Sequence, residues 1–292
     1  MNRALRLSKL AFTPAALAFL GIMALRNREV ILDLLARLTL RPVAVALVLW
    51  TGLHFLSALV AFLVFRSSNA PLSFGQAFFI HANRLPARYI PGGIWHTVGR
   101  VADYVSLGIS KAHIVLFVFL GNALAPCMTF LLGGLAVAAA GRLPVELGLA
   151  AAGGGLLGMT AIPLVVRIRL LRGRIVLPVV SYGAILGVMG AFWCGAATCF
   201  TLYFLAFPET TGKAWEVGGA YLFSWGVGFL TFFAPQGIGV FETVSGKLLE
   251  GGLTLGSTAV LAAGFRVVIL AADLLAFSTA HLFFRPRGGK GP

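Results

Sequence analysis

Acid is scarce in this sequence: nine Asp and Glu stand against 23 Lys and Arg in 292 residues, and charged residues of both signs make up only 11%. So little charge cannot solvate the surface of a chain this long. With 59% hydrophobic residues and a mean hydropathy of +0.94, a water-soluble globule is excluded and a polytopic membrane protein is expected. Cysteine is scarce too. Cys127, Cys194 and Cys199 all lie in apolar runs, and an odd count without extracellular spacing excludes a disulfide framework, leaving them as small packing residues. His54, His81, His96, His113 and His281 never fall at ligand spacing with Cys or a carboxylate, so no metal centre is expected. No nucleotide-binding motif, nucleophile constellation or Asp-x-x-Asp cluster appears, which argues against an enzyme and against any cofactor. No stretch is long and polar enough to form a second, soluble domain, so residues 1–292 are expected to form one membrane domain.

What the chain does have is apolar runs with cations at their ends. The formal charge of +14 is therefore attributed to positive-inside orientation and anionic headgroups, not to nucleic acid. Full crossings are expected at Leu10 to Leu25, Pro42 to Phe65, Ala112 to Ala140, Leu147 to Val166, Leu177 to Phe207 and Leu253 to Phe284. The first run, behind Arg3, Arg6 and Lys9, has the alternative of a signal peptide, and retention is favoured because the run has a counterpart in the second half. Val30 to Leu40 reads as an amphipathic interfacial stretch. Gly183 and Gly187 offer a small-xxx-small face for close helix packing.

Two segments break the pattern. Leu72 to Tyr104 is too polar for an ordinary span, with Asn83, Arg84, Arg88, Arg100 and Asp103 around Pro91-Gly92-Gly93. Pro-Gly frees backbone N–H groups, and the helix that restarts after it points the positive end of its dipole at the break. The pattern returns 144 residues later at Pro235-Gln236-Gly237, followed by Gly239 and Glu242. Each break is expected to tip a re-entrant hairpin, with arms of about ten helical residues reaching the midplane.

The order span, span, broken hairpin, span thus occurs twice, about 1–141 and 142–292. Three crossings per half is odd, so the expected fold is an all-α integral membrane protein of two inverted repeats, each with three transmembrane helices and one re-entrant hairpin. With both termini cytoplasmic, 15 cations fall inside, 7 outside and one, Arg266, within a span, the distribution of a bacterial inner-membrane protein. Val217 to Ala234, 18 residues, is apolar enough to cross fully, which leaves eight crossings as the alternative.

The candidate site follows from charge at membrane depth, where an Arg costs on the order of 2.5 to 3.5 kcal/mol on insertion scales. Arg84, Arg88 and Arg100 lie on the first hairpin, and snorkelling to the interface is the alternative reading for the first two. His96, Arg100 and Tyr104 share a helical face. Glu242, early in a helix, either caps it or pairs with Arg100 or Arg266. Arg266 and Asp273, seven apart, are expected to face the bundle. Tyr89 and Trp95 either pack on the glycine turn or stack on a headgroup.

The motif Tyr89-Ile-Pro-Gly-Gly-Ile-Trp95 with Arg100, together with Pro235-Gln-Gly-Ile-Gly-Val-Phe-Glu242, resembles the lysylphosphatidylglycerol synthase/flippase transmembrane-region family over essentially the whole chain. That resemblance implies transbilayer movement of an aminoacylated or other anionic glycerolipid, without the soluble synthase domain. It departs at Gly121-Asn122, where an acidic residue is common in the family. The expected function is translocation of a lipid with a phosphate-bearing headgroup or of a lipid-linked phosphate, the phosphate sitting at Gly92 to Trp95 with Arg88 and Arg100 as counter-ions. The alternative is a membrane subunit that supports a lipid-modifying enzyme. Membrane lipids are the expected partners, and a homodimer stays open.

Overall fold

Ten α-helices carry the described part of the chain. The computed structural model describes residues 25, 28–66, 72–89, 94–170, 178–208, 210–231, 237–251 and 253–285. They are α1 (Arg28–Arg37), α2 (Leu40–Arg66), α3 (Phe74–Asn83), α4 (Trp95–Ser106), α5 (Lys111–Ala139), α6 (Val145–Val165), α7 (Val179–Phe204), α8 (Ala214–Leu230), α9 (Val240–Leu248) and α10 (Leu255–Phe283). A 3-10 turn, Pro86–Tyr89, lies between α3 and α4, and a π turn, Val166–Leu170, continues α6. No strand occurs among the described residues.

Five helices are long and apolar enough to cross a bilayer: α2, α5, α6 with the start of its π turn, α7 and α10. Each presents large apolar side chains outward, among them Leu157, Val179, Val180, Leu282 and Phe283, as lipid contact requires. The chain is a multi-pass, all-helical membrane protein. The expected crossing at Leu10 to Leu25 lies, apart from Leu25, outside the described residues, as do both breaks at Pro91-Gly92-Gly93 and at Pro235-Gln236. The interfacial stretch forms α1, one turn shorter at its C-terminal end than the sequence pattern suggests.

Local signals set the shorter helices. Ser73 caps α3 with Gln76 in a reciprocal capping box, the Ser-x-x-Gln spacing doing what it predicts. Thr254 caps α10 through the Ser257 N–H. Helices α3 and α4 are 10 and 12 residues, and α8 and α9 are 17 and 9. At 1.5 Å per residue α8 is about 25 Å long, short of the roughly 30 Å hydrocarbon core.

The packing partners of the two halves correspond. In the first, α3 packs on α2; in the second, α8 packs on α7. Helix α5 lies against α8 and α10 against α3, while α2 and α7 lie against each other. The close-packing glycines are not the expected pair, because Gly183 and Gly187 have no neighbour within 4 Å of where a Cβ would stand. The tight seams are α5–α6, where a Cβ on Gly134 would come within 2.7 Å of the Gly148 carbonyl oxygen, and α5–α8, where one on Gly133 would come within 2.5 Å of the Phe223 nitrogen. Cys127 sits in the first seam against Gly155 and Gly158, in line with a packing role.

Contact with backbone cannot be relieved by a rotamer change. Gly155→Val, whose Cβ would stand 2.8 Å from the Leu131 nitrogen, is therefore expected to lower stability by about 1–3 kcal/mol. Gly183→Ala is expected to be neutral or stabilising, and thermal unfolding of the two variants in detergent measures the difference.

Candidate functional site

Of the nine acidic residues, three are buried among the described residues: Asp103, Glu242 and Asp273, exposed by 2%, 4% and 1%. Each is held by its own arginine. Arg84 on the α3 C-terminus donates from Nε to Asp103 Oδ2 at 2.7 Å, and a second nitrogen donates to the other carboxylate oxygen. Arg88 donates to Asp273 Oδ2 at 3.1 Å. Arg266 donates from Nε to Glu242 Oε1 at 2.6 Å, with its guanidinium over the Phe241 ring at 5.8 Å. Such one-to-one pairing is what buried carboxylates need to stay ionised in a low-dielectric interior.

Arg100 stands outside this accounting. Its Nε is buried with no hydrogen-bond partner, and none of the ion pairs among the described residues includes it. The guanidinium lies 5.5 Å from the Phe117 ring centroid, a cation–π contact that positions it without neutralising it. Along the face expected from the sequence, His96 Nδ1 and Tyr104 Oη are likewise buried without partners among the described residues. Helix α4 starts at Trp95, and its N-cap residue Ile94 makes no side-chain cap hydrogen bond. The Nε of Arg100, His96 Nδ1 and Tyr104 Oη thus line one face of α4 without hydrogen-bond partners among the described residues.

The other expected residues are placed as follows. Arg84 ties α3 to α4 and lies directly over Gly99, where a Cβ would come within 2.7 Å of Arg84 Cδ; its position makes it a clamp of the hairpin. Tyr89 donates its hydroxyl to Asp273 Oδ2 at 2.9 Å, while Trp95 is about half exposed. Glu242 does both things considered for it: it pairs with Arg266 and accepts the Gly239 N–H at 2.7 Å, capping α9. Gly237 and Gly239 have φ of +66° and +85°, and a Cβ on Gly237 would stand 2.8 Å from Gly228 Cα. Asp273 and Arg266 both face inward but serve different partners. Pro91, Gly92, Gly93, Pro235 and Gln236 lie outside the described residues.

Sequence reasoning missed His54 and His81. His54, in the middle of α2, places Nδ1 3.1 Å from His81 Nε2 on α3 and Nε2 3.0 Å from Asp273 Oδ1 on α10. The available signal was an ionisable residue at the centre of an apolar span, which at that depth is a functional residue by default. The nitrogens of His54 point to different partners, and no cluster of His, Cys, Asp and Glu among the described residues converges on a metal position. Comparison with protein-family models and with curated proteins finds no match for this chain.

Proposed function

We propose that this protein moves an anionic, phosphate-bearing lipid headgroup between the leaflets of a bacterial inner membrane, with Arg100 meeting the phosphate. The observation that carries this reading is the interior charge balance: three buried carboxylates are each matched by an arginine, and Arg100, half-buried with its Nε inaccessible, stands beside unpaired polar atoms without a carboxylate among the described residues. An isolated cation at such depth is unfavourable unless an anion arrives to share the site. A phosphate fits, because a planar guanidinium offers it two parallel donors and the α4 N-terminus adds its dipole. The motifs at Tyr89 to Arg100 and Pro235 to Glu242, which resemble the lysylphosphatidylglycerol synthase/flippase family, point to the same class of substrate.

Inverted repeats with re-entrant hairpins supply the path. The reading is supported by corresponding packing partners in the two halves and by the short arms α3 and α4. An inverted arrangement puts the α4–α5 connection and the α7–α8 connection on opposite sides of the membrane. Single cysteines at Ser110 and Thr211, with Cys127, Cys194 and Cys199 replaced by alanine, are then labelled by an impermeant thiol reagent from the cytoplasmic and outer sides respectively. Labelling of both from one side refutes the inverted arrangement.

The function itself is tested in reconstituted vesicles of phosphatidylcholine carrying fluorescent phosphatidylglycerol. Loss of more than the outer-leaflet half of the signal to an impermeant quencher, only when protein is present, is the expected result. Protection of the inner half, for this probe and for a fluorescent lysyl-phosphatidylglycerol and a phosphatidic acid, overturns the reading.

A further inference from the structure

We infer that Asp273, His54 and His81 form a proton relay that couples lipid movement to proton uptake, so that the anionic headgroup and a proton travel together; the inference rests on the lipid-translocation reading. The three groups come from α10, α2 and α3, and all are nearly inaccessible, exposed by 1%, 3% and 6%. Their contacts fix where the protons stand, assigned from donor and acceptor roles. An ionised Asp273 only accepts, so His54 Nε2, 3.0 Å from Oδ1 but off the line of a hydrogen bond, carries a hydrogen that a small turn of the ring would deliver. Neutral His54 then has a lone pair on Nδ1, and His81 Nε2, 3.1 Å away, must donate to it. That leaves His81 Nδ1 as a bare lone pair, and this atom is buried with no partner among the described residues.

A chain so arranged accepts one proton at its open end and delivers one at the other. As a proton adds to His81 Nδ1, the Nε2 hydrogen of His81 passes to His54 Nδ1, and the Nε2 hydrogen of His54 passes to Asp273 Oδ1. Both imidazoles end neutral in their other tautomers, and the single added proton resides on the Asp273 carboxyl. The charged and titratable groups facing the relay are Arg88 and Tyr89 from the 3-10 turn, His96 and Arg100 from α4, and Arg266 from α10 acting on Tyr89. Of these, Arg88 and Tyr89 hold Asp273 directly, at 3.1 and 2.9 Å.

Neutralising Asp273 removes a negative charge 3.1 Å from Arg88. His96, on the same face as Arg100, and His81 both lie within electrostatic reach of this cluster, so the interior around Arg100 becomes more positive. A phosphate meeting Arg100 is then held more strongly. Loss of the proton restores the carboxylate charge and weakens that hold. Proton and anion binding are therefore favourable to each other, as reciprocal linkage demands.

The test has two readouts. In phosphatidylcholine vesicles with fluorescent phosphatidylglycerol, acidifying the side that presents the probe should speed its movement by the wild-type protein, up to about tenfold per pH unit while protonation limits the rate. His54→Gln and His81→Gln should flatten that response, and Asp273→Asn, a fixed mimic of the neutral carboxyl, should move lipid at a rate indifferent to pH. Wild-type movement with no pH dependence overturns the coupling and leaves the translocation reading intact. The second readout needs no lipid: infrared difference spectra of the purified protein between alkaline and acidic pH should show the carbonyl stretch of a protonated carboxyl that is missing in Asp273→Asn, with the helical circular dichroism of that variant checking its fold. No such band overturns the relay. The band without movement of any probe retains the relay and overturns the translocation reading.

Discussion

Arg100→Ala in reconstituted vesicles is expected to reduce transbilayer movement of fluorescent phosphatidylglycerol to near the protein-free background. Truncating one partner of a desolvated charge pair removes about 2–5 kcal/mol, which is on the order of 30-fold or more in affinity. Arg100→Lys keeps the charge but loses the planar fork and its stacking on Phe117, so it should fall between the two. Arg66, at the end of α2 with its guanidinium over Phe62, supplies the control: it carries the same charge at the rim, and Arg66→Ala should stay near wild type. Full activity in Arg100→Lys and Arg100→Ala would reduce Arg100 to an orientation signal and remove the basis for a phosphate site. Stability separates the outcomes, since deleting an unmatched half-buried cation should raise the melting temperature of the unloaded protein while abolishing movement.

The second large effect concerns Glu242. Glu242→Gln keeps an acceptor for the Gly239 N–H but leaves Arg266 without its carboxylate in a largely buried position. Breaking a buried pair on one side destabilises by about 3–5 kcal/mol, and the partial exposure of Arg266 places the expectation near the lower end, about 3 kcal/mol. Removing the stranded charge as well, in Glu242→Gln with Arg266→Leu, should recover a substantial part of that loss. Thermal unfolding of the two single variants and the double measures the coupling directly. Additive effects would mean that the pair is not energetically linked despite its 2.6 Å contact.

The spans were legible because a crossing helix needs nothing but length and apolarity, and α2, α5, α6, α7 and α10 fall within a few residues of their apolar runs. The inward face of α10 was legible from the seven-residue spacing of Arg266 and Asp273. Pairing was not. Which carboxylate meets which arginine depends on how α3, the 3-10 turn and α10 come together, and Arg88 finds Asp273 across 185 positions. The histidines were judged by ligand spacing, a criterion for metals that is blind to a wire assembled from three helices. Gly183 and Gly187 show the converse failure: the spacing was there, but among the described residues nothing comes within 4 Å of where their Cβ atoms would stand.

The glycine seam between α5 and α6 has a mechanical consequence. These helices end and begin the two halves, are joined by only the 140–144 turn, and touch backbone to backbone at Gly134, Gly148 and Gly155. Side chains can slide past one another, but interlocked backbones cannot. A second seam of the same kind joins α5 to α8 at Gly133, so α5 is locked on two sides and slides against neither neighbour.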